Sequence, residues 1–192
     1  MRAGLADPVL DAQRVFRGVL EAMAHPGRVV ALAGTPQPPA PLGPGAAAIC
    51  LTLLDYETPL WVAPAGRETH VLDYLRFHCG APIVGDPADA AFALVPAAGE
   101  LPPLEAFAQG SDEYPDRSAT LIVEVAGLLE GGGRRLTGPG IDGERRLDAR
   151  GVPERLWPML QQNHARFPRG IDLLLVAGAS VAALPRTTFV EA

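Results

Sequence analysis

An α/β layered domain built on a mixed sheet is the fold class this sequence predicts, and three observations carry it. Segments of helical period alternate with short, fully apolar runs, the pattern of strands covered on both faces. Several strands are separated only by tight turns, so parts of the sheet run antiparallel. The chain has 192 residues, 48% hydrophobic and 20% charged, and a domain of this size buries about 70% of its unfolded surface without a disulfide or structural metal. With no internal repeat and no linker, residues 1–192 read as one domain.

The first helix takes Asp7 or Asp11 as N-cap and carries Val9, Ala12, Phe16, Val19, Leu20 and Met23 at helical spacing as its apolar side. His25-Pro26-Gly27 suits a type II turn and leads into a strand at residues 28–32. Residues 34–45 are proline-rich loop, 46–54 a buried helix, 60–63 a strand, and 68–78 a helix with Val71, Leu72 and Leu75 inward. Residues 81–84 and 91–95 are short buried strands; 110–116 is an acidic surface loop. Residues 119–125 form the clearest strand, being rich in β-branched side chains. Gly131-Gly132-Gly133 reads as a turn, and residues 135–137 and 145–147 as paired strands about a Gly-Pro-Gly corner. Pro153 opens a helix over 154–165 with Leu156, Trp157 and Leu160 inward, and strands at 171–177, 181–184 and 189–190 complete the series.

Composition excludes several chemistries. The 16 basic side chains are all arginine, so a Schiff base to pyridoxal phosphate, a Walker-type lysine, a biotinyl carrier and a lysine general base are beyond this chain. No cofactor is expected. A net charge of -6 argues against nucleic acid as a partner. Residues 1–11 lack the features of a signal peptide, and the longest apolar stretch, 173–184, is too short to span a bilayer. With Cys50 and Cys79 as free thiols, the expectation is a soluble, cytoplasmic protein without a membrane partner.

Catalytic constellations are sparse. His25, His70, His78, His164 and Cys79 do not fall at zinc-ligand spacings. Ser111, Ser118 and Ser180 sit in no nucleophile elbow, and His78 cannot face its helical neighbour Cys79. Asp112, Glu113 and Asp116 read as a solvated loop. Arg134, Arg135, Arg145, Arg146 and Arg150 flank Thr137-Gly138-Pro139-Gly140, an anion-binding turn or, more in keeping with strand alternation, a solvated hairpin or a subunit contact. Arg169 and Arg186 stand at strand ends, where α/β domains place ligands; each reads equally as an arginine bonded to loop carbonyls or to a partner chain.

Ordered along the chain, several short motifs resemble the PhnH family, a subunit of the bacterial carbon-phosphorus lyase core complex. They include Asp11-Ala12-Gln13 with Phe16-Arg17, Pro26-Gly27, Leu51-Thr52-Leu53-Leu54-Asp55 with Thr58-Pro59-Leu60-Trp61, Phe77-His78, Tyr114-Pro115, and Ser118 to Ile122. Leu136-Thr137-Gly138-Pro139-Gly140-Ile141, Phe167-Pro168-Arg169-Gly170-Ile171-Asp172 and Pro185-Arg186-Thr187-Thr188 complete the set. Cys79 departs from it in a minor way. The resemblance implies a three-layer α/β/α sandwich like the large domain of pyridoxal-phosphate-dependent transferases, without that cofactor. It further implies an assembly with G, I and J subunits that converts ATP and a phosphonate into ribose 1-phosphonate 5-triphosphate. Nucleosidase-type chemistry belongs there to the I subunit and radical cleavage to the J subunit.

Two functions follow as expectations. In the first, the chain is an assembly subunit with no catalytic residues of its own, its oligomeric state alone, homodimer included, being open. In the second, Arg169, Arg186, Thr187 and Thr188, with the Thr137 turn, hold a phosphate or phosphonate in a stand-alone binder or transferase.

Overall fold

A computed structural model describes residues 2–191. In chain order the elements are α1 (Pro8–Ala24), β1 (Val30–Ala31), α2 (Pro44–Leu53), β2 (Leu60–Val62), α3 (Thr69–Cys79), β3 (Ile83–Val84), β4 (Phe92–Val95), β5 (Thr120–Glu124), β6 (Gly127–Thr137), β7 (Arg145–Arg150), α4 (Leu156–Ala165), β8 (Asp172–Ala177), β9 (Ser180–Leu184) and β10 (Phe189–Val190). Seven strands form one mixed sheet in the order β1-β9-β8-β5-β4-β2-β3, and β10-β6-β7 form a second, antiparallel sheet. The run β3-β2-β4-β5-β8 is parallel, and β9 and then β1 add antiparallel at one edge.

Strand alternation divides the core between the two faces of the large sheet. On one face Leu60, Val62, Leu94, Ile122, Leu174 and Val176 pack against α1, α2 and α3. On the other, Trp61, Ala93, Val95, Leu121, Val123, Leu173 and Leu175 pack against α4, the small sheet through Leu136, Leu147 and Val190, and the irregular segment holding Leu101, Leu104 and Phe107. The α/β class holds and the sheet is mixed. The second cover is not a helical layer, because a single helix leaves most of that face to be closed by the three-stranded sheet and by 3-10 turns.

Three elements depart from the sequence reading. In α1, Asp7 is the N-cap and accepts the amides of Val9 and Leu10, but the buried face is Asp11, Val15, Val19 and Ala22. Val9, Phe16 and Leu20 point outward. The helix buries its narrow side because it lies close to the chain after β1: a Cβ on Gly18 would meet Leu32 Cδ2 at 2.8 Å. Gly131-Gly132-Gly133 is a bulge inside β6 rather than a turn, with Glu130 and Arg134 both opposite Leu147. Gly131 and Gly133 have φ of +84° and +71°, and a Cβ on Gly133 would strike the Leu147 carbonyl, so the bulge requires glycine there. Finally, β1 shortens to two residues, since after Ala31 only the Leu32 amide still bonds back, to the Ala179 carbonyl.

Among the described residues no helix is long and apolar enough to cross a membrane.

Candidate functional site

At the edge of the large sheet where β8 begins and β9 ends, an open cleft of about 530 Å³ is lined by Met23, Ala24, Pro115, Asp116, Pro139, Gly140, Phe167, Pro168, Asp172, Pro185, Arg186 and Thr187. Five segments far apart in sequence meet there, and each has a local reason for its path. α1 ends at the His25-Pro26-Gly27 turn, whose Gly27 amide bonds the Ala183 carbonyl at 3.0 Å. The corner after β6 closes onto this turn, and a Cβ on Gly140 would run into the Ala24 carbonyl. Ahead of β8, buried Asn163 on α4 clasps Ile171: its Nδ2 donates to the Ile171 carbonyl at 2.9 Å and its Oδ1 accepts the Ile171 amide at 2.8 Å. Gly170, with φ of +125°, passes close under that amide group, 2.8 Å separating Asn163 Oδ1 from the place of a Cβ.

Arg186 is the hub of the cleft floor. Its Nε donates to Asp172 Oδ1 at 3.1 Å and its Nη2 to Asp172 Oδ2 at 2.5 Å, while its backbone amide donates to the same Oδ1 at 2.8 Å. Nη1 donates to the Pro115 carbonyl and Nη2 to Ser118 Oγ. With side chains 13% and 15% exposed, this is a largely desolvated fork-to-fork pair. The guanidinium is therefore neutralised by Asp172 and held by two other chain segments, the start of β8 and residues 115–118, before any ligand arrives.

The other residues singled out in the sequence lie around Arg186 without converging on one point. Thr187 lines the cleft. Thr188 is buried behind it, its hydroxyl without a hydrogen-bond partner among the described residues. Thr137 pairs with Phe189 in the β6–β10 ladder. Arg169 is half exposed and faces Asp112 at 3.3 Å. Arg186 also sits at the opposite sheet edge from the usual ligand position: β9 runs antiparallel to β8, so the chain leaves β9 beside the first residue of β8, not beside the carboxyl ends of the parallel strands.

The five hairpin arginines do not gather. Arg134 pairs with Glu154 at 2.6 Å and lies over the Trp157 ring, Arg135 meets Glu144 and Glu191, Arg145 donates to the His25 and Pro26 carbonyls, Arg146 to the Gly133 carbonyl, and Arg150 to Asp148. Strand alternation and local carboxylates disperse them, as the solvated-hairpin reading has it.

At the carboxyl edge of the parallel strands the protein's own carboxylates occupy the inviting places. Glu124, last in β5, accepts the Gly43 amide at 2.9 Å at the N-terminus of α2. Burial pushes its carboxyl up to about 7, the Gly43 bond opposing this. Next to β2, Glu100 Oε2 accepts the Ala65 amide at 2.8 Å and Arg67 Nε donates to the Val62 carbonyl at 2.7 Å. Cys79 Sγ lies 3.5 Å from the Cys50 carbonyl; burial pushes the Cys79 thiol up to about 12 and the Cys50 thiol well upward, which removes both as nucleophiles at neutral pH. Among the described residues no three His, Cys, Asp or Glu side chains cluster as a metal site.

What the cleft offers is an apolar, proline-walled concavity over a buried ion pair. The Asp172 partner of Arg186 was the residue that the sequence could not single out; its only signal was its place at the end of the Phe167–Asp172 motif.

Residues 3–191 match the family model described as "Bacterial phosphonate metabolism protein (PhnH)". The chain is 42% identical over 187 residues to the "Alpha-D-ribose 1-methylphosphonate 5-triphosphate synthase subunit PhnH" of Rhizobium meliloti (strain 1021), covering 97% of this chain and 93% of that protein. It is 36% identical over 182 residues to the "Putative C-P lyase subunit protein HtxG" of Stutzerimonas stutzeri, covering 93% of this chain and 85% of that protein. A family match running the length of the described fold, cleft segments included, makes this chain a member of the PhnH family of bacterial phosphonate metabolism proteins.

Proposed function

We propose that this chain is a subunit of a carbon-phosphorus lyase assembly that makes ribose 1-methylphosphonate 5-triphosphate from ATP and a phosphonate, and that its role there is architectural. The full-length similarity to a synthase subunit supports the pathway. The role rests above all on Arg186: among the described residues the one cation lining the cleft is held by Asp172, Ser118 and Pro115, so the cleft presents a neutral floor and largely apolar walls with the exposed carboxylate of Asp116 on one of them. Such a surface suits side chains of another protein better than a triphosphate.

The partners in this reading are the G, I and J subunits, in the cytoplasm. The chain works without a cofactor, in keeping with the absence of lysine and with Glu124 standing at the α2 N-terminus, where a phosphate would otherwise be welcome. The scaffold in this reading is related to the pyridoxal-phosphate transferase large domain, its covalent cofactor given up and its second helical layer replaced in large part by the three-stranded sheet.

Tagged chain co-expressed with the three sister subunits is expected to retain them through affinity purification, with the intact assembly seen by native mass spectrometry. Failure to retain any of them overturns the proposal. Titration calorimetry of the isolated chain with ATP and with methylphosphonate is expected to be silent. Saturable heat that Arg186→Ala abolishes would instead establish the ligand-binding reading through Arg169, Arg186, Thr187, Thr188 and Thr137.

A further inference from the structure

The lining of the cleft contains three charged side chains, Asp116, Asp172 and Arg186. Asp172 and Arg186 neutralise each other. Asp116 is exposed, and its carboxylate makes no hydrogen bond or ion pair among the described residues. The arginines near it are engaged elsewhere: Arg117 lies over the Tyr114 ring at 4.2 Å, Arg169 faces Asp112 at 3.3 Å, and Arg186 holds Asp172. One unneutralised negative charge therefore stands on the wall of an otherwise apolar and neutral concavity. The backbone that carries it is fixed on both sides. The Pro115 carbonyl accepts Arg186 Nη1 at 2.5 Å, and Ser118 Oγ accepts Nη2. Gly110, at a φ of +69°, lies so close that a Cβ there would stand 2.8 Å from the Pro115 carbonyl oxygen. Little backbone ordering is left for a partner to impose.

We propose that the cleft receives a segment of another subunit of the assembly, one that lays an apolar side chain against Met23, Pro139 and Phe167 and sets an arginine or lysine beside it against Asp116. The inference rests on the subunit reading above and names the partner chemistry that serves it. Phe167 is 60% exposed and gives such a segment a large apolar side chain to cover, while interfaces match a free charge on one side with its opposite on the other.

Other occupants fit less well. Sites for small molecules bring several polar groups to one point, and among the described residues Asp116 is the one charge in this lining that is not already paired. An anion would meet a charge of its own sign. A two-fold contact of this chain with itself across the cleft would bring the Asp112, Glu113 and Asp116 stretches of both copies together, on chains of net charge -6.

The test co-expresses the G, I and J subunits with tagged wild type, Asp116→Arg, Asp116→Asn and Glu113→Arg, each checked for its melting temperature. Glu113 is exposed on the same loop but does not line the cleft. Asp116→Arg is expected to retain the sister subunits at least tenfold less than wild type, Asp116→Asn about threefold less with a flatter dependence on salt, and Glu113→Arg as wild type does. Wild-type retention by a normally melting Asp116→Arg overturns the cleft contact and leaves the subunit reading standing. If Asp116→Arg melts early, Asp116→Asn decides, and its retention at the wild-type level at every salt concentration overturns the proposal. A loss with Glu113→Arg as deep as with Asp116→Arg assigns the effect to overall charge and overturns it too. Loss of retention by wild type itself overturns both readings. A wild-type homodimer in sedimentation that Asp116→Arg converts to monomer reassigns the cleft to self-association and overturns the commitment to a different subunit.

Discussion

The two edges of the large sheet are built on opposite electrostatic plans. At the carboxyl ends of the parallel strands, where α/β folds generally hold their ligands, Glu124 takes up the amide at the start of α2 and Glu100 the amide of Ala65. At the other edge, where β8 starts, an acid-base pair, Asp172 with Arg186, ties together three chain segments beneath an open, proline-walled cleft. The first edge is closed by the protein's own carboxyl groups, and the second is open, its arginine already neutralised and a lone carboxylate, Asp116, on its wall.

The sharpest way to break this comparison is to remove one half of the ion pair. Asp172→Ala leaves a desolvated guanidinium with only Ser118 and the Pro115 carbonyl, and the expected loss is about 3 to 5 kcal/mol of unfolding free energy, measured by urea denaturation. The double variant Asp172→Leu/Arg186→Met is expected to recover much of that loss, since it leaves no charge unpaired. Were Arg186 a ligand clamp with spare capacity, Asp172→Ala would instead cost little and would tighten binding of inorganic phosphate. A smaller effect is expected at the cleft wall. Gly140→Ala places a Cβ against the Ala24 carbonyl at a φ of +82°, costing about 1 to 3 kcal/mol. Its local character shows in hydrogen exchange, which should quicken around residues 24–27 and 138–141 while the β4–β5 amides stay protected.

How much of this was legible beforehand depended on whether the signal was local. Residues 119–125 announced β5 because β-branched side chains and flanking turns sit side by side. α1 was legible as a helix but not in how far its apolar face is buried: the core takes the part with Val15, Val19 and Ala22, and the larger Phe16 and Leu20 stand exposed at the rim of the same face. Hydrophobic period locates a helix and cannot say which part of its apolar face centres on the core when close approach at Gly18 favours the smaller side chains. The triple glycine read as a turn because a bulge and a turn use the same positive φ; only the Leu147 partner across the ladder tells them apart. The segment with Leu101, Leu104 and Phe107 carries no period at all, although each side chain is buried. The cleft was present as separate motifs. Arg186 and Asp172 are 14 residues apart and meet only because β8 and β9 form a hairpin in one particular register, so the fact that Arg186 is already paired belongs to strand pairing and not to either motif alone.

The smallest expected effect tests the sealed edge, through Glu124. Its carboxyl is raised from 4.5 to about 7 by burial, against the pull of the Gly43 amide. A folded state that holds the proton more tightly than the unfolded chain is favoured by this group below pH 4.5, and that contribution is lost as pH rises through 7. Glu124→Gln keeps an oxygen to accept the Gly43 amide and removes the buried charge. The variant is therefore expected to match wild type near pH 4.5 and to exceed it above pH 7, by on the order of 1 kcal/mol once partial solvation is allowed for. Paired thermal melts at pH 5 and pH 8 read this directly. A variant less stable than wild type at pH 8 would mean that the ionised carboxylate is the better cap for α2. In that case the carboxyl edge would be held by an attraction between charge and helix dipole strong enough to outweigh desolvation, and the contrast between the two edges would lie in which charge each retains, not in whether one is retained.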